Sequence, residues 1–387
     1  MNSINPLIER YKNNIKYYAG YPQNVHFDYS EIYEALSYPI NNYGDPFLLQ
    51  NPVSSHEYEQ EVIKWFLRLY GLKETSLGWG YVTSGGSEGI LFGLWQAKEN
   101  LKNPVLYFSE FVHYCVLKFV RIMGIDYRII KSLPKGEMDY NDFDEKLVKN
   151  RDAIVIATIG NTVTSAIDDV RLIRDITDKY NVNTFIHADA AFDGMILPFI
   201  ETNHTCQLTD QIDSISVSGH KIIGSPIPCG VVLIHKKYVD HFRSNSVELI
   251  NNVDCSITGS RPGFSSLILW DAIAKNKRAG FKLFIEKCLQ KASEFTKVLN
   301  DNGVPAWRFD HAMTIVLDKL PVEITRKWRA PSSHNYTTLT ALPKLTESML
   351  NELIDDIKYF KEYRCLKACD SGIVFPKVCN SILLDDD

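Results

Sequence analysis

The sequence predicts an α/β protein, a mostly parallel seven-stranded sheet followed by a smaller C-terminal α+β domain. Three observations carry this. Short apolar runs bounded by turn residues alternate with helical patterns from about Glu57 to His235. Small or glycine-rich turns follow several of those runs directly, as in Ser84-Gly85-Gly86-Ser87 and Ser218-Gly219. Beyond residue 270 the alternation gives way to one long helical stretch and a short mixed pattern. A chain of 387 residues, 45% hydrophobic and 23% charged, is long enough for two or three domains with a sizeable core.

Taken in order, Asn5 and Pro6 open a helix ending near Tyr18, with Asn5 as N-cap and Pro6 in the first turn. Irregular chain rich in Tyr, Asn and Pro follows, with a turn at Asn41-Asn-Tyr-Gly-Asp-Pro46. Val62, Trp65, Phe66, Leu69 and Tyr70 repeat at helical spacing. Seven strands are then expected at Tyr81–Thr83, Val105–Phe108, Tyr127–Ile130, Ala153–Thr158, Thr184–His187, Ser214–Val217 and Gly230–His235. Helices separate them: one from Gly86 through Lys98, then His113–Met123, Asn141–Lys149 and Ile167–Tyr180. Leu267 to Asn300 reads as helix. Met313–Leu317 and Tyr336–Leu342 read as strands, with helices over Val322–Arg329 and Thr346–Phe360. The expected units are an N-terminal segment (1–55), a large domain (56–262) and a small domain (263–387), with Asp385–Asp387 a frayed tail.

Composition excludes several classes. A net charge of −5 without Lys/Arg clusters offers no footprint for nucleic acid. No apolar run reaches the ~20 residues that span a bilayer, and Met1-Asn-Ser-Ile-Asn-Pro6 lacks a secretory n-region and h-region. The eight cysteines are scattered without CxxC spacing. Cys365 and Cys369 could share a helix face, but no histidine accompanies them and no metal site is expected. The expectation is a soluble protein of the reducing cytoplasm.

Five places carry chemistry. Tyr81-Val-Thr-Ser-Gly-Gly-Ser-Glu-Gly89 joins a strand to a helix, and a glycine turn feeding free helix N–H groups can cradle a phosphate. It matches neither a Walker loop nor GxGxxG, and an ordinary turn capped by Ser84 or Ser87 would look the same. His113 follows a strand, where an imidazole can stack on a flat ring or move protons. Thr162 in Ile159-Gly-Asn-Thr162 offers a hydroxyl at a strand end. Asp189 in His187-Ala-Asp-Ala-Ala191 stands among small residues, suited to a cationic ring nitrogen or to a turn. Lys221 in Ser218-Gly-His-Lys221 follows another strand, where burial would lower its pKa and make it an imine-forming amine. Alone, each has an ordinary structural explanation. Together, a parallel sheet brings Gly86/Ser87, His113, Thr162, Asp189 and Lys221 to one edge. A phosphate cradle, a stacking ring, a carboxylate and an amine are the parts pyridoxal 5′-phosphate requires.

These motifs, with Gly194-Met-Ile-Leu-Pro-Phe199, Ser216-Val-Ser-Gly-His-Lys-Ile-Ile-Gly-Ser-Pro-Ile-Pro-Cys-Gly230, Ile40–Pro46 and Thr258-Gly-Ser-Arg261, resemble the group II PLP-dependent amino-acid decarboxylases. The nearest branch holds bacterial histidine decarboxylases and plant serine decarboxylases, and the likeness spans roughly residues 15 to 360. It implies the PLP-dependent transferase-like fold (fold type I) and a homodimer with sites at the interface. By matching motif, Lys221 would be the Schiff-base lysine, Asp189 the pyridinium partner, and His113 and Ala191 the two walls around the ring. Gly86, Ser87, Ser218 and His220 would hold the phosphate. Ser260 would approach from the neighbouring subunit, and Tyr43, Gly44 and Asp45 would lie near the substrate.

The chain departs from that pattern in four places. Ile90 replaces an Asn, Asn161 a Thr, and Pro262 and Phe264 an Asn and a His. Leu249 occupies the place of a proton-donating Tyr, and no Tyr occurs between Tyr238 and Tyr336. Phe264 would favour a more apolar substrate. Three readings follow: an amine-forming decarboxylase with histidine as first substrate and serine or an aromatic amino acid behind it, a decarboxylating aldehyde synthase, and a PLP-binding protein without turnover.

Overall fold

In the computed structural model, residues 3–370 are described apart from 27, 49–51, 210 and 242–245, and for 362–370 the backbone alone. The tail at Asp385–Asp387 and the side chains of Cys365 and Cys369 lie outside the described residues.

Seven strands form the central sheet: β1 (Gly78–Thr83), β2 (Val105–Ser109), β3 (Asp126–Ile130), β4 (Ala153–Thr158), β5 (Thr184–Asp189), β6 (Ser214–Ser218) and β7 (Gly230–His235). Their spatial order is β1-β7-β6-β5-β4-β2-β3, with β7 alone running antiparallel to its neighbours. Every residue of β1, β2, β4, β5 and β6 is buried, as a sheet covered on both faces requires. β3 ends the sheet with an exposed Asp126-Tyr-Arg-Ile stretch, and its charges discourage further pairing.

The helices follow the predicted pattern with shifted ends. α1 (Asn5–Ile15) starts at its expected cap, one residue early: Asn5 is the first helical residue, and its amide donates to Ser3 Oγ at 3.2 Å. It stops at Ile15 rather than near Tyr18. α2 (His56–Leu69) and α3 (Gly86–Asn100) come next. α4 covers Cys115–Met123, so His113 lies in the turn ahead of the helix rather than inside it. Asp139 and Asp169 cap α5 (Tyr140–Lys146) and α6 (Val170–Lys179), accepting from the amides of Asn141 at 3.0 Å and Arg171 at 2.9 Å. α3 lies flat on the sheet because Gly93 lets it: a Cβ there would sit 2.2 Å from His187 Nδ1. His187 is held neutral, its pKa pushed down to about 3 by burial, and it bridges Ser214 Oγ (2.7 Å) and Ser216 Oγ (3.1 Å).

After β7 comes a small hairpin, β8 (Ser246–Val247) and β9 (Asn252–Val253). α7 (Gly263–Asp301) then crosses the molecule, broken at Lys277 (φ 52°, ψ −175°). β10 (Ala306–Trp307), β11 (Thr314–Asp318), β12 (Ser332–Ser333) and β13 (Tyr336–Thr340) form an antiparallel sheet in the order β10-β11-β13-β12. α8 (Val322–Trp328) and α9 (Glu347–Asp370) pack on it. The cores divide inside α7, not at the expected 262/263. Phe264 through Cys288 pack in the large core, whereas Ala292, Phe295 and Leu299 pack in the small one. Nor is the N-terminal segment a unit of its own. Ala19 joins the small core and receives Thr340 N–H at 2.9 Å, while Tyr29 joins the large core.

Among the described residues, no helix is long and apolar enough to cross a membrane.

Candidate active site

Register places the site. Thr158 pairs with Asp189, Asp189 with Ser216, Ser218 with Gly230 and Gly230 with Thr83. The carboxyl ends of the parallel strands β1, β6, β5 and β4 therefore lie along one edge, where ligands of open α/β sheets bind. A cavity of about 280 Å³ opens there, lined among others by Gly86, Ser87, His113, Asp189, Ala191, Ser218, His220 and Lys221. Thr162 lies on a second, smaller cavity that shares His113, Asp189, Ala191 and Lys221 with the first and reaches the small domain at Thr314, Thr338 and Thr340.

The glycine turn starts α3 without a side-chain cap. Gly85 is the N-cap of α3 and supplies no side chain, leaving the first-turn N–H groups free of any side-chain acceptor. Ser84 bonds instead to Glu88, from its amide at 2.7 Å and its hydroxyl at 2.6 Å, so it caps nothing. Gly86 is obligatory here: a Cβ would lie 2.7 Å from Ser218 Oγ and 3.5 Å from Ala191 Cβ. The Lys221 turn is anchored on several sides. Ser218 N–H donates to Ala191 O (3.2 Å), Gly219 N–H to Cys229 O (2.8 Å), and Asn24 N–H, from the N-terminal segment, to Lys221 O (2.9 Å). His220 Nδ1 lies 2.9 Å from Cys229 O, an acceptor, so Nδ1 carries the hydrogen and Nε2 is left as the free nitrogen.

Electrostatics single out three groups. Asp189 is 5% exposed. Burial raises its pKa, with Lys221 and His113 pulling it back, and Oδ1 accepts only the Ala191 amide at 3.2 Å. Burial lowers the Lys221 pKa against the attraction of Asp189, Asp193 and Cys115. His113 is likewise lowered by burial, with Asp189 opposing and Lys221 and Lys118 reinforcing. Its Nδ1 sits 2.9 Å from Cys115 Sγ, and its ring centroid 4.2 Å from that of Tyr114. A poorly solvated amine, a carboxylate with spare acceptor capacity and an imidazole share one wall. That arrangement fits pyridoxal 5′-phosphate, with the bare N-terminus of α3 and the Gly86/Ser218 contact suited to its phosphate.

Other expected residues lie elsewhere in the single chain. Ser260 is exposed and accepts Asn41 Nδ2 at 3.1 Å. Tyr43 is half-buried, and Gly44 gives its carbonyl to Arg261 Nη2 at 3.0 Å. None of the three lines either cavity. Phe264 corrects the expectation of a substrate contact: it is 9% exposed and packs in the large core, because the first turn of α7 faces inward. Asn161 replaces a hydroxyl for a local reason. Its Oδ1 accepts the amides of Val163 (2.9 Å) and Thr164 (2.7 Å), and its Nδ2 donates to Gly136 O (3.2 Å), bracing the turn that carries Thr162. Ile90 is buried and lines the larger cavity. Leu249 stands 93% exposed at the tip of the β8–β9 hairpin. Sequence reasoning missed Cys115, Tyr114 and Asp193. Helical spacing or a neighbouring motif makes each look ordinary.

Residues 32–320 match the model of the pyridoxal-dependent decarboxylase conserved domain. The chain is 36% identical over 348 residues to the histidine decarboxylase of Vibrio anguillarum, covering 88% of this chain and 90% of that one. It is 37% identical over 352 residues to that of Morganella morganii, covering 87% and 91%. Its fold matches L-methionine decarboxylase of Streptomyces sp.590 at a TM-score of 0.81 and 21% identity, over 91% of this chain and 94% of that one. Lactobacillus brevis glutamate decarboxylase matches at 0.72 and 17%, over 93% and 92%. The fold is therefore fold type I, the cofactor is pyridoxal 5′-phosphate, and the chain belongs to the pyridoxal-dependent decarboxylase family, as an amino-acid decarboxylase.

Proposed function

We propose that the enzyme converts L-histidine to histamine and CO₂, as a cytoplasmic homodimer. The observation that carries the substrate is the 36% identity to a histidine decarboxylase over nearly the whole chain. In this reading Lys221 binds the cofactor aldehyde and Asp189 keeps a proton on its ring nitrogen. His113 and Ala191 wall the ring, and Thr162 contributes a hydroxyl at its edge. The N–H groups of Gly86 and Ser87, with Ser218 and His220, hold the phosphate. Ser260, Tyr43 and Gly44, which line neither of the two cavities of their own chain described above, complete the site of the partner subunit. Among the described residues, the buried thiols of Cys115, Cys206, Cys229 and Cys288 suit a reducing compartment.

When bound, the cofactor draws the electrons of the breaking Cα–carboxylate bond into its ring. The chain's part is to orient that bond, to exclude water from the site, and to return a proton to Cα. Asp189 would set its carboxyl toward the ring nitrogen, its pKa raised by burial and drawn back by Lys221 and His113. Lys221, with its proton affinity lowered by burial, would hold the cofactor aldehyde between turnovers.

The holoenzyme should release histamine and CO₂ in equal amounts from histidine, faster than from serine or any aromatic amino acid. Preference for serine or an aromatic substrate would overturn the assignment. Exposed Leu249, with no Tyr nearby in sequence, supports a second reading. Slow protonation of Cα would let O₂ react, consuming O₂ and water and releasing aldehyde, CO₂, ammonia and hydrogen peroxide. Peroxide and ammonia in step with CO₂ would establish that reading, and their absence would dispose of it.

A further inference from the structure

Ser165 is buried, yet its backbone stands in the left-handed region at φ 61°, which residues with a side chain avoid. Such strain persists only where the surroundings over-determine it. Here three hydrogen bonds do so. The Ser165 amide donates to Asn161 O at 3.0 Å and closes the turn around Thr162. Its carbonyl accepts His311 Nε2 at 2.9 Å, and its hydroxyl donates to Thr314 Oγ1 at 2.8 Å. Those last two partners come from the small domain: Thr314 opens β11, and His311 lies just ahead of it. His311 is itself held, its ring stacked on Phe309 at 5.3 Å.

The large domain grips the same turn from the other side. Ile159 and Ile167 pair across its base, and Thr164 Oγ1 donates to Lys135 O at 2.7 Å. Gly160 packs on Asp193, whose carboxyl the Ser165 hydroxyl also faces. Thr162 is the exposed residue of the turn, and it lines the smaller cavity with Ser165, Thr314 and Lys221. The turn that presents Thr162 is therefore a seam between the two domains.

We propose that Ser165 is a positioning residue for Thr162: its hydroxyl latches the strained turn to Thr314, so that the small domain sets where Thr162 stands against the cofactor. This rests on the reading of Thr162 as a hydroxyl at the cofactor's edge. The left-handed backbone aims the Ser165 side chain at β11, and the hydroxyl contact repays part of the strain. Loss of the contact frees the turn to relax away from the cavity without unfolding it, because the Ile159–Ile167 pairing and the Thr164 bond remain.

The test is the dissociation constant of pyridoxal 5′-phosphate from the purified holoenzyme, read from its visible absorption, beside stability to urea. Ser165→Ala and Thr314→Val should each weaken cofactor binding about fivefold, the worth of one hydrogen bond. The double variant should be no weaker than either alone, because both remove the same contact. Thr314→Ser keeps the acceptor and should bind as the wild type does. Ser165→Gly separates positioning from stability. Glycine adopts the left-handed backbone freely, so this variant should resist urea at least as well as Ser165→Ala while binding the cofactor as weakly. Unchanged binding in both Ser165→Ala and Thr314→Val, additive losses in the double variant, or a glycine variant that recovers binding together with stability each overturn the proposal. Thr162→Ala tells the two failures apart. If it binds the cofactor as tightly as the wild type, the reading of Thr162 fails and the proposal with it; if it binds weakly while the Ser165 variants do not, the proposal alone fails.

Discussion

Acid meets base in two buried places in this molecule, and the two are built on opposite principles. At the first, Glu59 and Arg261 form an ion pair of which both members are at most 3% exposed. Glu59 also accepts Val82 N–H at 2.8 Å and Asn42 Nδ2 at 2.7 Å. Arg261 donates to Gly44 O at 3.0 Å and lies 5.0 Å over the Tyr81 ring. Apart from Arg261 Nε, its polar capacity is used. At the second, Asp189 accepts a single amide, Asp193 none, and Lys221 Nζ makes no hydrogen bond among the described residues. A satisfied network holds a shape, here the Asn42–Gly44 segment against β1. An unsatisfied one keeps directional capacity for a ligand.

The sharpest way to break the comparison is Lys221→Ala. Turnover and the visible cofactor absorption should both vanish, while chemical denaturation shows no loss of stability; retained turnover would remove Lys221 from its role. Glu59→Gln should do the reverse. It leaves Arg261 uncompensated and should cost about 3–5 kcal/mol of stability by urea unfolding, whereas a cost below ~1 kcal/mol would mean the pair holds nothing. Asp189→Asn should lower kcat roughly 10²-fold with little change in melting temperature, and equal losses in both would make Asp189 structural. Smallest of all, Leu249→Ala should change stability by under about 0.5 kcal/mol. A larger effect would mean that the hairpin tip is covered in the assembled enzyme.

Much of the site was legible because its chemistry sits in short motifs at strand ends. Once strands are recognised, parallel order alone brings Gly86, His113, Asp189 and Lys221 to one edge. Other features were not. Phe264 reads as a neighbour of the matching Arg261 segment, yet which face of α7 turns inward depends on packing against the large core. The division of the cores within α7 is hidden too, because a helix that serves two cores shows one continuous periodicity.

By itself the sequence determined the strand–helix alternation, the cofactor and the lysine proposed to hold it, since these depend on local patterning and residue chemistry. Only the tertiary structure decided which acids are satisfied. Glu59 and Asp193 are both acids near apolar residues in the chain. One meets an arginine about 200 positions away, the other is buried in the short turn after β5 without such a partner among the described residues. Long-range packing sets the solvation and partners of a charge, and these decide whether it holds the fold or serves the chemistry.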